Sequence, residues 1–363
     1  MKEHKTVVIG LSGGVDSAVA ALLLKRQGFN VIGAFMKNFS DTKDSLTGEC
    51  SWIKEKRMAQ KITAKLNIEF VIFDFEKEYK EYVIKPMFKD YSAGLTPNPD
   101  ALCNKIIKFP LFWKKAKALG ADYIAMGHYI KSNNKKGKYF LEIPKDKKKD
   151  QSYFLYDLTQ KDLEHTLFPI GSYTKEEVRK IAKKNNFPNY DKKGTSGICF
   201  VGKIDMISFL KNKIKPKQGI IKNPEGKIIG NHNGIMYYTI GQRAPNNSEF
   251  NVNKEYRNKI KNKIYVISKN AKSNVLIVGP INHPSSLKKQ FRIIKTNWIN
   301  PIKYPLKNIK IRIRHLGNLY PAEIKKEKAK IIVLLKKPLS SVSPGQSCVV
   351  YKNRQILGGG EIR

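Results

Sequence analysis

Thr6-Val7-Val8-Ile9-Gly10-Leu11-Ser12-Gly13-Gly14-Val15-Asp16-Ser17 stands near the start of this chain and decides how the first half is read. The β-branched run Thr6–Ile9 predicts a strand, and the apolar pattern from Val15 to Leu24 predicts a helix. A Gly-rich turn between them leaves backbone N–H groups bare at the positive end of the helix dipole. Such a turn binds phosphate. Ser12 and Ser17 add hydroxyl donors, and Asp16 adds a carboxylate able to hold a metal ion beside the phosphates.

Three phosphate-binding patterns compete for this segment. A dinucleotide fold requires G-x-G-x-x-G, and the ATPase loop requires G-x-x-x-x-G-K-[ST]. Gly10–Val15 lacks the third glycine, and no lysine follows Gly14. The segment instead matches S-G-G-x-D-S at every fixed position, and so resembles the pyrophosphate loop of ATP pyrophosphatases. That resemblance implies an enzyme that splits ATP between the α and β phosphates and adenylates its substrate.

The chain has 363 residues, enough for two or three domains, each with its own core. The N-terminus lacks a signal-peptide pattern, and no apolar run approaches the ~20 residues that span a bilayer. A cytoplasmic protein with no membrane contact is expected. The net charge of +39 suggests a polyanionic partner. Only ten of the 69 basic residues are arginines, however, and Asn and Ile abound, as an AT-rich coding sequence would produce. Charge alone therefore does not establish nucleic-acid binding. Cys50, Cys103, Cys199 and Cys348 are widely spaced with no C-x-x-C pair, which argues against a zinc or iron–sulfur site. A structural disulfide framework is not expected in a reducing compartment, which leaves buried filler or reactive thiols.

Up to about residue 130, strands and helices alternate. Strands are expected at Thr6–Ile9, Val31–Met36, Phe70–Phe73 and Tyr123–Met126. Helices are expected at Ala18–Arg26, Trp52–Leu66, Lys80–Tyr91 and Asn104–Leu119. This alternation predicts an α/β fold with a parallel sheet, its ligands at the carboxyl ends of the strands. The phosphate loop, Met36 and Gly127-His128-Tyr129 all fall there. A lysine-rich hairpin follows, then helical segments near Leu158–His165 and Lys175–Asn185. The charged stretch Lys211–Gly219 marks a boundary, followed by short strands at Gly219–Ile221, Ile228–Ile229, Ile235–Ile240 and Ile264–Ile267.

After Pro284 the pattern is almost wholly β, predicting a small antiparallel barrel or sandwich. Ile309, Ile311 and Ile313 alternate with Lys310, Arg312 and Arg314, so a strand would put isoleucines on one face and cations on the other. Further strands are expected at Ile331–Leu335, Cys348–Tyr351 and Gln355–Leu357. The expected division is residues 1–210, 211–283 and 284–363.

In Thr96-Pro97-Asn98-Pro99-Asp100-Ala101-Leu102-Cys103-Asn104, two prolines hold the chain extended and Asp100 is placed to cap the following helix. Cys103 would then lie in the first turn, where bare N–H groups lower a thiol pKa from about 8.5. The same residue could equally pack inward as a small hydrophobe. Cys199, in Lys193-Gly194-Thr195-Ser196-Gly197-Ile198-Cys199-Phe200, reads by itself as core. Lys149-Asp150-Gln151-Ser152-Tyr153-Phe154 offers phosphate contact, base-edge hydrogen bonding and stacking, or simply a charged loop entering a helix.

Together these strings resemble the bacterial tRNA-specific 2-thiouridylases along nearly the whole chain. They include Phe35-Met36-Lys37-Asn38, Thr96–Asp100, Leu102-Cys103-Asn104-Lys105, Gly127-His128-Tyr129, Lys149–Phe154 and Gly197-Ile198-Cys199-Phe200. Tyr238-Thr239-Ile240-Gly241-Gln242-Arg243, Pro344-Gly345-Gln346 and Leu357-Gly358-Gly359-Gly360 continue the series in the family's order. Two segments depart from the family pattern. Gly194-Thr195-Ser196-Gly197 stands where Asp-Ser-Thr-Gly is usual, and Ala244-Pro245-Asn246-Asn247 replaces Lys-Gly and further glycines.

The resemblance implies an N-terminal adenylation domain, a small central β-rich domain and a C-terminal β-barrel. It implies 2-thiolation of the wobble uridine in tRNAs for Lys, Glu and Gln, with ATP and Mg²⁺. Gly10, Leu11, Ser12, Gly13, Gly14, Val15, Asp16, Ser17, Met36 and Gly127 would bind ATP, with Asp16 a candidate toward Mg²⁺. Cys199 would carry a persulfide received from an upstream relay protein, and Cys103 would attack it, leaving a transient Cys103–Cys199 disulfide. Asn98, Pro99 and Asp100 would contact the target base, Asp100 as acid/base. His128, Lys149, Asp150, Gln151, Arg312, Ile313 and Gln346 would touch tRNA, and the protein would act as a monomer. Another pyrophosphate-loop enzyme, such as an amidating or lysidine synthetase, would not need both thiols. A non-catalytic RNA-binding protein would have no use for Ser12–Ser17.

Overall fold

The opening β-branched run forms strand β1 (Thr6–Gly10), in which every residue after Thr6 is buried. A computed structural model describes residues 4–40, 50–192, 206–245, 247–261 and 263–363. Helix α1 (Val15–Arg26) follows the Gly-rich turn, then β2 (Asn30–Lys37), α2 (Ser51–Leu66) and β3 (Glu69–Asp74). A continuous helical run comprises α3 (Glu76–Tyr79), a π-helical stretch (Lys80–Ile84) and α4 (Lys85–Ser92). The next run comprises α5 (Pro99–Cys103), a π-helical stretch (Asn104–Leu111) and α6 (Phe112–Ala118). Pro110 lies inside the second wide stretch, where it can give no backbone N–H and its ring crowds the preceding turn. The helix expected over Asn104–Leu119 is therefore continuous but changes width, wide over Asn104–Leu111 and regular over Phe112–Ala118.

Next come β4 (Tyr123–Ala125), hairpin β5 (Lys131–Lys135) and β6 (Lys138–Glu142), α7 (Gln160–Glu164), β7 (Thr166–Leu167) and α8 (Lys175–Lys184). Five strands form a wholly parallel sheet in the order β3-β2-β1-β4-β7. Alternate side chains of β1 enter different cores: Val8 joins one cluster, and Val7 and Ile9 the other. A sheet apolar on both faces requires helices on both, as the near-continuous hydrophobic run demands.

The central segment has α9 (Met206–Lys211), β8 (Gly219–Lys222), β9 (Ile228–His232), β10 (Phe250–Val252), α10 (Lys254–Lys259), β11 (Tyr265–Asn270) and β12 (Val275–Gly279). These strands form one sheet, β10-β9-β8-β12-β11. The strand expected at Ile235–Ile240 is instead a 3-10 turn over Ile235–Tyr237. Its three large side chains are all buried, which a strand with one exposed face could not achieve.

The remaining strands are β13 (Lys288–Trp298), β14 (Leu306–Arg312), β15 (Tyr320–Glu327), β16 (Lys330–Leu339), β17 (Ser347–Lys352) and β18 (Gln355–Ile362). They pair in the order β13-β16-β15-β14-β17-β18, and β13 also pairs with β18, closing a six-stranded antiparallel barrel. Ile309, Ile311 and Ile313 fill its interior, as their alternation predicts. The hairpin β5–β6 extends the barrel sheet beyond β18, with Gln355 opposite Glu142 and Ile356 opposite Leu141.

Candidate active site

β1 lies between β2 and β4, so its carboxyl end opens where the strand order reverses, the place where such sheets take ligands. There Gly14 is the N-cap of α1 and no side chain caps the helix, leaving first-turn N–H groups for an anion. Ser17 Oγ donates to the Gly14 carbonyl at 3.1 Å and accepts from Ser12 N at 3.3 Å, which holds the loop curled. Gly13 has φ +69° and carries its backbone against α2; a Cβ there would meet the Glu55 carbonyl at 2.6 Å. The Gly13 carbonyl accepts from Asn189 Nδ2 at 3.0 Å and from Lys192 Nζ at 3.3 Å. Met36 and Met126 flank Gly10, and Gly127 presses against the backbone of Ser17. The expected loop residues Gly10 to Ser17, Met36 and Gly127 thus form one neighbourhood.

Asp16 is the charged member of that neighbourhood. Its Oδ1 accepts from the Tyr129 hydroxyl at 2.8 Å and from Lys175 Nζ at 2.6 Å. Burial lowers the Lys175 pKa and raises that of Tyr129; the Asp16 carboxylate pulls the lysine back up and pushes the phenol higher still. Neither Tyr129 nor Lys175, nor Asn189 and Lys192, stood out in the sequence as a site residue. Tyr129 lay in a quoted string, and the other three carried no distinguishing pattern.

A second neighbourhood surrounds Thr96–Cys103. Asn98, not Asp100, is the N-cap of α5, its Oδ1 accepting from Ala101 N at 3.2 Å. Pro99 occupies the first helical position, which suits its fixed φ, so the helix starts two residues earlier than Asp100 capping would allow. Cys103 consequently falls at the fifth helical residue, beyond the first turn, and is fully buried. The barrel clamps this segment from outside. Thr96 N donates to the Pro344 carbonyl at 3.0 Å, Gln346 Nε2 to the Thr96 and Pro97 carbonyls at 3.1 and 3.3 Å, and Asn98 Nδ2 to Ser347 Oγ at 3.0 Å. Tyr153 Oη donates to Gln346 Oε1 at 3.1 Å, so both ends of that amide are engaged.

These contacts border an open cleft of about 310 Å³ lined in part by Asn98, Pro99, Asp100, Tyr153, Phe154, Arg314, His315 and Gln346. Its volume and aromatic walls suit one flat heterocycle. The Phe154 and His315 rings lie 4.5 Å apart. Burial lowers the His315 pKa, keeping the ring neutral near pH 7. The sequence drew no attention to His315.

The residues expected to touch RNA divide by exposure. Lys149 is exposed, and Gln151 is partly exposed with its Oε1 accepting from Tyr129 N at 2.8 Å. His128 is buried against Phe109, its Nδ1 without a partner among the described residues, and its pKa lies well below the usual value through burial and the nearby Lys108 charge. The strand face expected to carry three cations carries two. Lys310 and Arg314 are exposed, but Arg312 is 8% exposed, donates to Asp150 Oδ2 at 2.7 Å and lies over the Tyr351 ring. Asp150 is 1% exposed and also accepts from Ser152 N. Ile313 points into the barrel. Cys199 and its segment Lys193–Phe200, including Gly194–Gly197, lie outside the described residues, as does Asn246. The proximity of Cys103 and Cys199 is therefore not among the described contacts.

Three family models match the chain in succession: a tRNA methyl transferase HUP domain over residues 5–203, a tRNA methyl transferase PRC-barrel domain over 207–280, and an aminomethyltransferase β-barrel domain over 288–362. A tRNA-specific 2-thiouridylase MnmA of Blochmanniella floridana is 43% identical over 366 residues, covering 99% of this chain and 96% of that one. One from Nitrosomonas eutropha is 42% identical over 360 residues, covering 98% of each. One from Halalkalibacterium halodurans is 40% identical over 371 residues, covering 99% and 95%.

Proposed function

The chain belongs to the family of tRNA-specific 2-thiouridylases, and on that premise we propose that it thiolates the wobble uridine of tRNAs for Lys, Glu and Gln. A uracil carbonyl oxygen is a very poor leaving group. In the first step O2 attacks the α-phosphorus of ATP and pyrophosphate departs. In the second, sulfur attacks C2, the C2–O bond breaks, and AMP leaves with the oxygen. The loop Gly10–Ser17, with Met36 and Gly127, binds ATP in this scheme. The target base enters the cleft beside Asn98, Pro99 and Asp100, with Asp100 moving the proton. Flipping the base from an anticodon loop costs a few kcal/mol at most. Lys149, Lys310 and Arg314 meet RNA phosphates, which position without reading sequence.

Cys199 carries the persulfide from an upstream relay protein, and its terminal sulfur is the nucleophile at C2. Cys103 Sγ then attacks Cys199 Sγ, the carrier's S–S bond breaks, and a Cys103–Cys199 disulfide remains for a thiol reductant to reset. Asp16 fits a partial role toward Mg²⁺: its Oδ1 is engaged, while no hydrogen bond reaches Oδ2 among the described residues. No group of three or more His, Cys, Asp or Glu suited to a metal occurs among those residues, so the nucleotide phosphates and water would complete the shell. Asp16 would help hold Mg²⁺ there, and the ion would supply charge neutralisation for the leaving pyrophosphate. No helix among the described residues is long and apolar enough to cross a membrane, and a tRNA substrate would be met in the cytoplasm.

The observation that carries this proposal is one chain, aligned with the thiouridylases along 99% of its length, that has both the complete phosphate loop and the Asn98–Cys103 segment. The domain descriptions speak of methyl transfer, but a pyrophosphate-type loop serves adenylation. The test is Cys199→Ser with a persulfide donor. Pyrophosphate release stimulated by tRNA should persist while 2-thiouridine, read by mass spectrometry, disappears. Continued thiolation by the variant would remove Cys199 as carrier; no tRNA-stimulated pyrophosphate release from the unaltered protein would remove the whole scheme.

A further inference from the structure

Asp16 Oδ1 receives two donors, and each is tied to a different end of one short segment, residues 146–151. Tyr129, whose hydroxyl reaches Asp16, donates its backbone N–H to Gln151 Oε1 at 2.8 Å and accepts from Gln151 N at 3.2 Å. Lys175, whose ammonium reaches Asp16, donates its backbone N–H to Asp146 Oδ2 at 2.9 Å. Asp146 Oδ1 in turn accepts from Lys148 N at 2.9 Å and caps the 3-10 turn Lys147–Lys149. The segment that carries exposed Lys149 is thus fastened at both ends to the donors that hold the phosphate loop's carboxylate.

Both donors close on Asp16 Oδ1. An ammonium has three N–H groups, and Lys175 Nζ has one acceptor among the described residues. A nucleotide phosphate at the α1 N-terminus would supply a second acceptor. Lys175 begins α8 and its backbone N–H is held by Asp146, so a displacement of Lys175 would be passed to the turn Lys147–Lys149. Tyr129 is 2% exposed, so a hydroxyl that lost Asp16 would be a poorly solvated donor.

We propose that Tyr129 and Lys175 are positioning residues that couple RNA engagement at residues 146–151 to nucleotide engagement at Asp16. This rests on the proposed function, which supplies the two ligands. Coupling between binding sites is reciprocal, so ATP tightens tRNA by the factor with which tRNA tightens ATP.

The test measures tRNA affinity by filter binding with and without a non-cleavable ATP analogue, and takes the ratio. The unaltered protein should give about tenfold tightening. Tyr129→Phe keeps the ring and both backbone bonds to Gln151, and should cut that ratio to about threefold or less. Lys149→Ala, a control, should weaken tRNA binding and leave the ratio intact, which a merely structural defect would not separate. Should Tyr129→Phe fail to fold, Lys175→Gln carries the same expectation. An unchanged ratio in the variant, or no tightening in the unaltered protein, overturns the coupling. Failure of the unaltered protein to bind either ligand refutes the proposed function instead.

Discussion

Arg312 and Asp150 hold each other at 2.7 Å with almost no contact with solvent, so removing either strands the other as a buried charge. Breaking such a pair costs on the order of 3 kcal/mol. Arg312→Ala is therefore expected to lower stability by about that amount in urea unfolding, whereas a solvated phosphate-binding arginine would cost little. Its effect on RNA should also differ. A cation that contacts phosphate contributes about one unit to the salt slope of binding, and Arg312→Ala should leave that slope unchanged. A slope reduced by about one at preserved stability would return Arg312 to the RNA surface. Strand periodicity correctly assigns Arg312 to the face opposite Ile311, but it cannot reveal that Asp150 and Tyr351 cover that face. Covering groups come from distant sequence, and alternation has no memory of them.

At the scale of elements, the turn Pro344–Ser347 supports the Thr96–Asp100 segment, and Gly345 is its pivot. It has φ +92°, and a Cβ there would stand 2.9 Å from the backbone N and O of Thr96. Gly345→Ala should push that segment away, lowering kcat for thiolation well over tenfold while ATP KM, set at the far loop, moves little. Steady-state kinetics checks this; equal changes in both parameters would show that the two neighbourhoods are not separable. Much of the architecture was legible: β1, α1 and β2 followed from strand and helix periods, and the isoleucine alternation from 309 to 313 marked the barrel interior. The turn between β1 and α1 was legible because its pattern is local, Ser12–Ser17 being six residues in a row. The cleft was legible only in its Asn98–Asp100 wall; His315 and Tyr153 enter through barrel and loop packing that no short motif encodes. The Ile235–Ile240 strand failed because complete burial on every side looks, in sequence, like a β-rich apolar run.

For the molecule as a whole, two buried imidazoles link stability to acidity. Burial holds His232 down to a pKa of about 4, and burial with the Lys108 charge holds His128 well below 6.5. Unfolded chains protonate both near pH 6.5, so the unfolded state binds more protons below that value and stability falls as pH drops. Between pH 6.5 and 4, His232 alone should remove on the order of 3 kcal/mol, with His128 adding to the loss. Urea midpoints that stay flat across that range would contradict the buried neutral state of both rings. The barrel, finally, has a temporal consequence for how the protein is made. Strand β6 (Lys138–Glu142), made early, finds its neighbour in β18 (Gln355–Ile362), so synthesis must reach β18 before that edge is satisfied. A chain stopped short of β18 keeps that edge of β6 open to other strands.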